Sequence, residues 1–139
     1  YTRFEYSHLV ISASEVGPEE PVVITADVEN TGPLAGDEVV QLYISDRFAS
    51  RIRPVQELAG FVRIHLLPGE KKTVCFTLRP SQLAFLDQDM RWKIEKGDFD
   101  VRIGASSEDI RLAGVFQVAE DVWIDGKNRA MAANVEVLA

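Results

Sequence analysis

Val22-Val23-Ile24-Thr25-Ala26-Asp27-Val28-Glu29-Asn30-Thr31-Gly32-Pro33 is the stretch that decides the fold. Val22, Ile24, Ala26 and Val28 alternate with Val23, Thr25, Asp27 and Glu29, so an extended chain would carry one apolar face. The run Asn30-Thr31-Gly32-Pro33 consists of turn formers and ends that strand. The same period recurs downstream. Val40, Leu42 and Ile44 alternate with Val39, Gln41 and Tyr43; Val62, Ile64 and Leu66 alternate with Phe61, Arg63 and His65. Pro68-Gly69-Glu70 makes a turn, and Val74, Phe76 and Leu78 follow against Thr73, Cys75 and Thr77. Trp92 and Ile94 come next, then Phe99, Val101 and Ile103 opposite Asp100 and Arg102. Ile110, Leu112, Phe116 and Val118 close the series.

Short strands parted by turn signals about every ten residues predict an all-β antiparallel sandwich. A βαβ arrangement needs helical patterns of roughly 10–15 residues between strands, and the sequence has none. Its one helical turn is expected at Ser81–Leu86, after Pro80, with Ser81 as N-cap. Asp125-Gly126 between extended residues is a two-residue hairpin signal, and Val135-Glu136-Val137 fits either a last strand or a frayed end.

The 139 residues suit one domain, and 46% hydrophobic residues are enough for a core. The apolar stretches are a few residues long, far short of the roughly 20 that cross a bilayer. The opening Tyr1-Thr2-Arg3-Phe4 lacks an initiator Met and an apolar leader, which suggests a piece of something longer. A net charge of −7 repels phosphate backbones and anionic lipid, so neither a nucleic-acid partner nor a membrane surface is expected. The single cysteine, Cys75, forms no internal disulfide. That lack favours the cytoplasm over secretion.

Motifs for catalysis are missing: the sequence has no Walker loop, GxGxxG, HExxH or GxSxG. His65 alternates out of an apolar strand face and reads as a solvated strand residue, and His8, in the N-terminal segment, has no carboxylate or cysteine pattern around it. Cys75 reads as a packed or interface thiol rather than a nucleophile. The carboxylate pairs Glu19-Glu20, Asp87 with Asp89, and Glu108-Asp109 fall in turns, where acids cap and solubilise. No catalytic residue, metal ligand or cofactor-binding residue is assigned. Trp92, Phe99, Phe76 and Phe116 are expected in the core. Tyr43, Phe61 and Trp123 remain for a contact surface, to sugar or to another domain. The link from Asp46 to Leu58 carries three arginines, Arg47, Arg51 and Arg53. Loops of that length and composition are more often interaction surfaces than connectors.

Several ordered segments carry a family resemblance. Phe4-Glu5-Tyr6-Ser7, Val28-Glu29-Asn30-Thr31-Gly32 and Ala35-Gly36-Asp37-Glu38-Val39-Val40-Gln41-Leu42-Tyr43 come first. Arg53-Pro54-Val55-Gln56-Glu57-Leu58-Ala59-Gly60-Phe61, Leu67-Pro68-Gly69-Glu70, Gly97-Asp98-Phe99 and Gly104–Leu112 follow. Together they resemble the fibronectin type III-like domain at the C-terminus of family 3 glycoside hydrolases, the β-glucosidase and β-xylosidase group. The resemblance covers residues 1 to about 118 and leaves 119–139 as a C-terminal extension, a hairpin or interdomain tail. It implies an immunoglobulin-like sandwich of about seven to nine strands, appended to catalytic domains that hold the nucleophile and acid/base. The Ser45-Asp46 pair, at a strand end, is no counterpart of that nucleophile. The expectation is thus a non-catalytic accessory domain of a retaining β-glycosidase active in carbohydrate metabolism. It would stabilise and dock on the catalytic domains, and line the active-site approach. Arg51, Arg53, Pro54, Glu57, Leu58 and Phe61 are the expected interdomain contacts: guanidinium donors, a fixed Pro and an apolar pair suit docking. The alternatives are a carbohydrate-binding module using Tyr43, Phe61 or Trp123, and a homodimerisation module pairing through 119–139.

Overall fold

The computed structural model describes residues 2–17, 19–47, 56–83, 85–86, 91–124 and 133–138. Where the sequence alternates, the chain is extended. The strands are β1 (Phe4–Ile11), β2 (Glu15–Val16), β3 (Val22–Asn30), β4 (Gly36–Asp46), β5 (Gln56–Leu66), β6 (Lys71–Leu78), β7 (Phe85–Leu86) and β8 (Trp92–Ile94). β9 (Gly97–Gly104), β10 (Ile110–Val118), β11 (Val122–Ile124) and β12 (Asn134–Leu138) complete the set. Two larger sheets, ordered β1-β3-β6-β12 and β2-β10-β9-β4-β5, form the sandwich; β11-β8-β7 is a third, small sheet. Pairing is antiparallel throughout except where β2 runs parallel to β10.

The core consists of the inward sets read from the sequence. Val22, Ile24, Ala26 and Val28 from β3 and Val74, Phe76 and Leu78 from β6 face Val40, Leu42 and Ile44 from β4. Phe99, Val101 and Ile103 from β9 and Phe116 and Val118 from β10 fill the rest, all buried. Phe99 and Phe116 stack with centroids 5.5 Å apart, an arrangement that adds about 0.5–1.5 kcal/mol beyond area burial. Trp92 departs from expectation: it is half-buried and packs against the core from the third sheet.

The turn formers at 30–33 have a specific role. Asn30 is fully buried, and its amide donates to the carbonyls of Leu34 (2.7 Å) and Leu66 (3.0 Å). Its side-chain oxygen accepts from Thr2 Oγ1 (2.6 Å) and Gly32 N (3.0 Å). Gly32 is needed because a Cβ there would lie 2.6 Å from the backbone nitrogen of Arg3. Gly69 has a φ of +79° in the turn that follows Pro68, as its sequence position implied.

Two sequence expectations are corrected. The helical turn is a 3-10 turn at Pro80–Leu83, so it begins at Pro80. It is closed by Gln82, whose side-chain oxygen accepts from Arg79 N at 2.8 Å. The strand before Asp125 pairs with β8 and the strand after it with β6, so β11 and β12 do not pair with each other. The Asp125-Gly126 turn itself lies outside the described residues. Val135-Glu136-Val137 belongs to a strand, and Ala133 N donates to Ala59 O at 2.8 Å, tying the tail to β5.

Candidate docking face

The outward face of the five-stranded sheet brings the surviving contact residues together. Register fixes which side chains are neighbours. On β5, Phe61 stands opposite Gln41, Leu58 opposite Tyr43 and Gln56 opposite Ser45; on β9, Arg102 stands opposite Tyr43 and Asp100 opposite Ser45. Strict alternation would send Leu58 inward, because Phe61, an odd number of residues away, faces out. A register shift between Leu42 and Tyr43 makes Ala59 the extra residue of a β-bulge. Ala59 and Gly60 are both buried, and Leu58 emerges beside Phe61 at the next position of the same face. The exposures of Leu58 and Phe61 are 50% and 62%. Tyr43, half-buried between Leu58 and Arg102, donates its hydroxyl to the Gln41 side-chain oxygen. The Gln41 amide in turn donates to Ala105 O at 3.2 Å.

Both ends of the link between β4 and β5 are fixed to β9. At the exit of β4, Arg47 donates its backbone N–H to Asp98 O (3.0 Å). Its guanidinium reaches the carboxylates of Asp98 (3.2 Å) and Asp100. Gln117 Nε2 donates to Asp98 at 2.8 Å. At the return, Arg102 donates to Gln56 Oε1 at 2.9 Å. Asp98, Asp100 and Arg102 are alternate residues of β9, so one strand sets the entry and exit of the link. Of the expected contact residues, Glu57 is half-buried opposite Ile44, and Leu58 and Phe61 are on the face. Arg51, Arg53 and Pro54 lie outside the described residues. Neither the Arg47 clamp nor the bulge was read from the sequence. The alternation of Asp98 and Asp100 was visible there, but not that Arg47, some fifty positions earlier, meets them.

The remaining candidates sit apart from this face or at its margin. Ser45, opposite Asp100 near the end of β4, is buried. His65 Nδ1 lies 2.6 Å from Asp37 Oδ1, and Arg63 Nε donates to Asp37 Oδ2 at 2.8 Å. The hydrogen bonds from His65 and, next, Arg63 hold the Asp37 carboxyl below its ordinary range. His8, with φ +55° at a bulge in β1, places Nδ1 3.2 Å from Asp27, a contact the sequence did not signal. Cys75 is half-buried on β6, opposite Thr25 and Glu136. Glu20 accepts from Gly17 N (3.1 Å) and Asp109 from Arg111 Nε (2.6 Å), the turn roles expected of them. Asp87 and Asp89 lie outside the described residues. Trp123 is 45% exposed, but Arg91 and Lys93 stand over its ring at 5.0 and 4.9 Å, so cations engage the surface a sugar would stack on. Among the described residues no group of three His, Cys, Asp or Glu side chains is placed to hold a metal.

A β-glucosidase of Bacteroides ovatus is 46% identical over 118 residues, covering 84% of this chain and 16% of that protein. The thermostable β-glucosidase B of Acetivibrio thermocellus is 37% identical over 140 residues, covering 100% of this chain and 18% of the relative. Among solved structures, β-glucosidase 3B from Thermotoga neapolitana in complex with α-D-glucose superposes with a TM-score of 0.80 at 38% identity. That match covers 89% of this chain and 17% of that one. The chain thus spans under a fifth of the length of these relatives. The family model of the fibronectin type III-like domain matches residues 38–107, just over half of the sequence and the stretch that runs from within β4 through β5 to just past the end of β9. The chain belongs to the fibronectin type III-like domain family, in the form found within family 3 β-glucosidases and β-xylosidases.

Proposed function

We propose that this chain is a non-catalytic accessory domain of a retaining β-glycosidase of carbohydrate metabolism. It docks on the catalytic domains, stabilises them and lines the approach to their active site. The observation that carries the reading is the coverage: the chain aligns over 100% of its length with 18% of a β-glucosidase. The site supports the same reading. His8 pairs with Asp27, His65 with Asp37, Glu20 with the Gly17 N–H and Asp109 with Arg111, each at a separate place on the sandwich. Arg51, Arg53, Pro54, Glu57, Leu58 and Phe61 are the contact residues of this proposal; Glu57, Leu58 and Phe61 stand on β5, and the other three precede it in the sequence. The family unit of this proposal is 1–118, with 119–139 as an extension whose strand β12 adds to the edge of the sandwich.

The test is hydrolysis of aryl-β-glucosides and aryl-β-xylosides by residues 1–139, beside the parent enzyme with and without them. An inert fragment, and a truncated parent that loses activity or thermal stability, is the expected result. Turnover by the purified fragment would overturn it, as would a truncated parent indistinguishable from the whole.

A further inference from the structure

We infer that the outward face of β4, β5 and β9 is the surface on which the catalytic part of the same polypeptide sits, and that the contact has a defined chemistry. Phe61 and Leu58 enter an apolar recess on the catalytic body, and a carboxylate beside that recess meets Arg102. The inference rests on the accessory-domain reading above and adds the face, the anchors and the partner's complementary groups.

Exposure and register together support it. Beyond Phe61 the outward residues of β5 are Arg63 and His65, as expected of a solvated strand. At Phe61 the pattern changes to apolar. The bulge at Ala59 then brings in a second apolar side chain, Leu58, that regular alternation would have sent to the interior. Bulges commonly re-aim a side chain toward a functional surface. Other apolar side chains, Val10, Leu34 and Leu67 among them, are also exposed, but here register places Phe61, Leu58 and Tyr43 side by side as one patch on a net-negative domain.

Charge selects the partner's chemistry. Arg47, Arg63 and Arg111 are each matched by a carboxylate: Asp98 and Asp100, Asp37, and Asp109 respectively. Arg102, directly across β4 from Leu58, meets only the neutral amide oxygen of Gln56 among the described residues. A half-buried guanidinium with donors left over, at the border of an apolar patch, is suited to a carboxylate arriving from another surface. A second copy of this chain is the poorer fit, because two domains of charge −7 repel. The relatives identify the occupant, since more than four fifths of their length lies outside the part this chain matches.

The experiment uses the full-length parent, with p-benzoylphenylalanine introduced at position 61. Irradiation followed by peptide mass spectrometry should give an intramolecular cross-link to a segment outside residues 1–139, with an Asp or Glu close to the linked site. Arg102→Glu should lower the yield at least fivefold, while Arg102→Lys keeps most of it. A cross-link to a second copy, a link confined to residues 1–139, or no link at all overturns the inference. So does a yield indifferent to Arg102→Glu. Deleting 1–139 from the parent supplies the independent control. If deletion impairs the enzyme but position 61 does not cross-link, the accessory-domain reading stands and this face is wrong. If position 61 cross-links but deletion leaves the enzyme unchanged, the contact is real and the stabilising role fails.

Discussion

At the scale of single residues, Asn30 shows how a turn former can also be core. The sequence marks it as the end of a strand, yet its side chain makes four hydrogen bonds in a site with no solvent exposure. Asn30→Ala leaves the carbonyls of Leu34 and Leu66 and the N–H of Gly32 without these partners. The expected loss is about 2–4 kcal/mol in denaturant unfolding, because buried polar groups without partners cost far more than a mean hydrogen bond contributes. A loss below about half a kilocalorie would mean that water or a shifted backbone replaces the amide. Asp37 gives a prediction of a different kind. Its carboxyl is held low in the folded state, first by His65 and then by Arg63. Its contribution to stability is therefore whole above the ordinary Asp pKa of about 3.9 and is lost as pH falls through the lower, folded value. Titration of the Asp37 carboxyl carbon by NMR should show a depressed midpoint. His65→Ala should return it further toward the ordinary range than Arg63→Ala, and the reverse order would make the guanidinium the dominant partner.

At the scale of elements, β12 decides how the edge of the sandwich is finished. It pairs with β6 from Asn134 to Leu138, and Ala133 packs beside Gly60 and Phe76. A chain truncated after Ile124 loses a strand's worth of ladder and uncovers Phe76. It should melt several degrees lower, since each kilocalorie shifts the midpoint of a domain this size by roughly 2–8 °C. An unchanged midpoint would support a sandwich complete by residue 118. The elements themselves were largely legible, because burial on one face writes a period of two into β3, β4, β6, β9 and β10. What the period cannot carry is partner choice. Val122–Ile124 reads as half of a hairpin, yet it pairs with β8. Trp92 reads as core, yet its strand belongs to the small third sheet. The bulge at Ala59 was illegible for a related reason. Its only local trace is Ala59-Gly60, two small residues on a strand, and small residues suit many close approaches.

At the scale of the whole molecule, the docking face separates two kinds of stability. Phe61 and Leu58 are 62% and 50% exposed, so replacing both with serine removes only the shielded part of each side chain from the sandwich. The isolated chain should lose about 1–3 kcal/mol and still unfold as one cooperative unit. In the full-length parent the same residues are anchors at an interdomain contact, and central apolar anchors carry a disproportionate share of such an interface. Calorimetry of the parent should therefore show residues 1–139 unfolding together with the catalytic body. In the Phe61→Ser, Leu58→Ser variant that single transition should split, with a new component near the midpoint of the isolated chain. The outward Arg63→Ala is the matched control, because it lies on the same strand beyond the patch and is paired within the domain. It should leave the transition whole. If the control splits the transition as well, the coupling runs through the general charge of the sheet rather than through the two apolar anchors. If the double variant leaves it whole, the body sits on some other face. The bulge at Ala59 would then need an explanation within the sandwich itself, where Ala59 is buried in the core and its carbonyl accepts from Ala133 N.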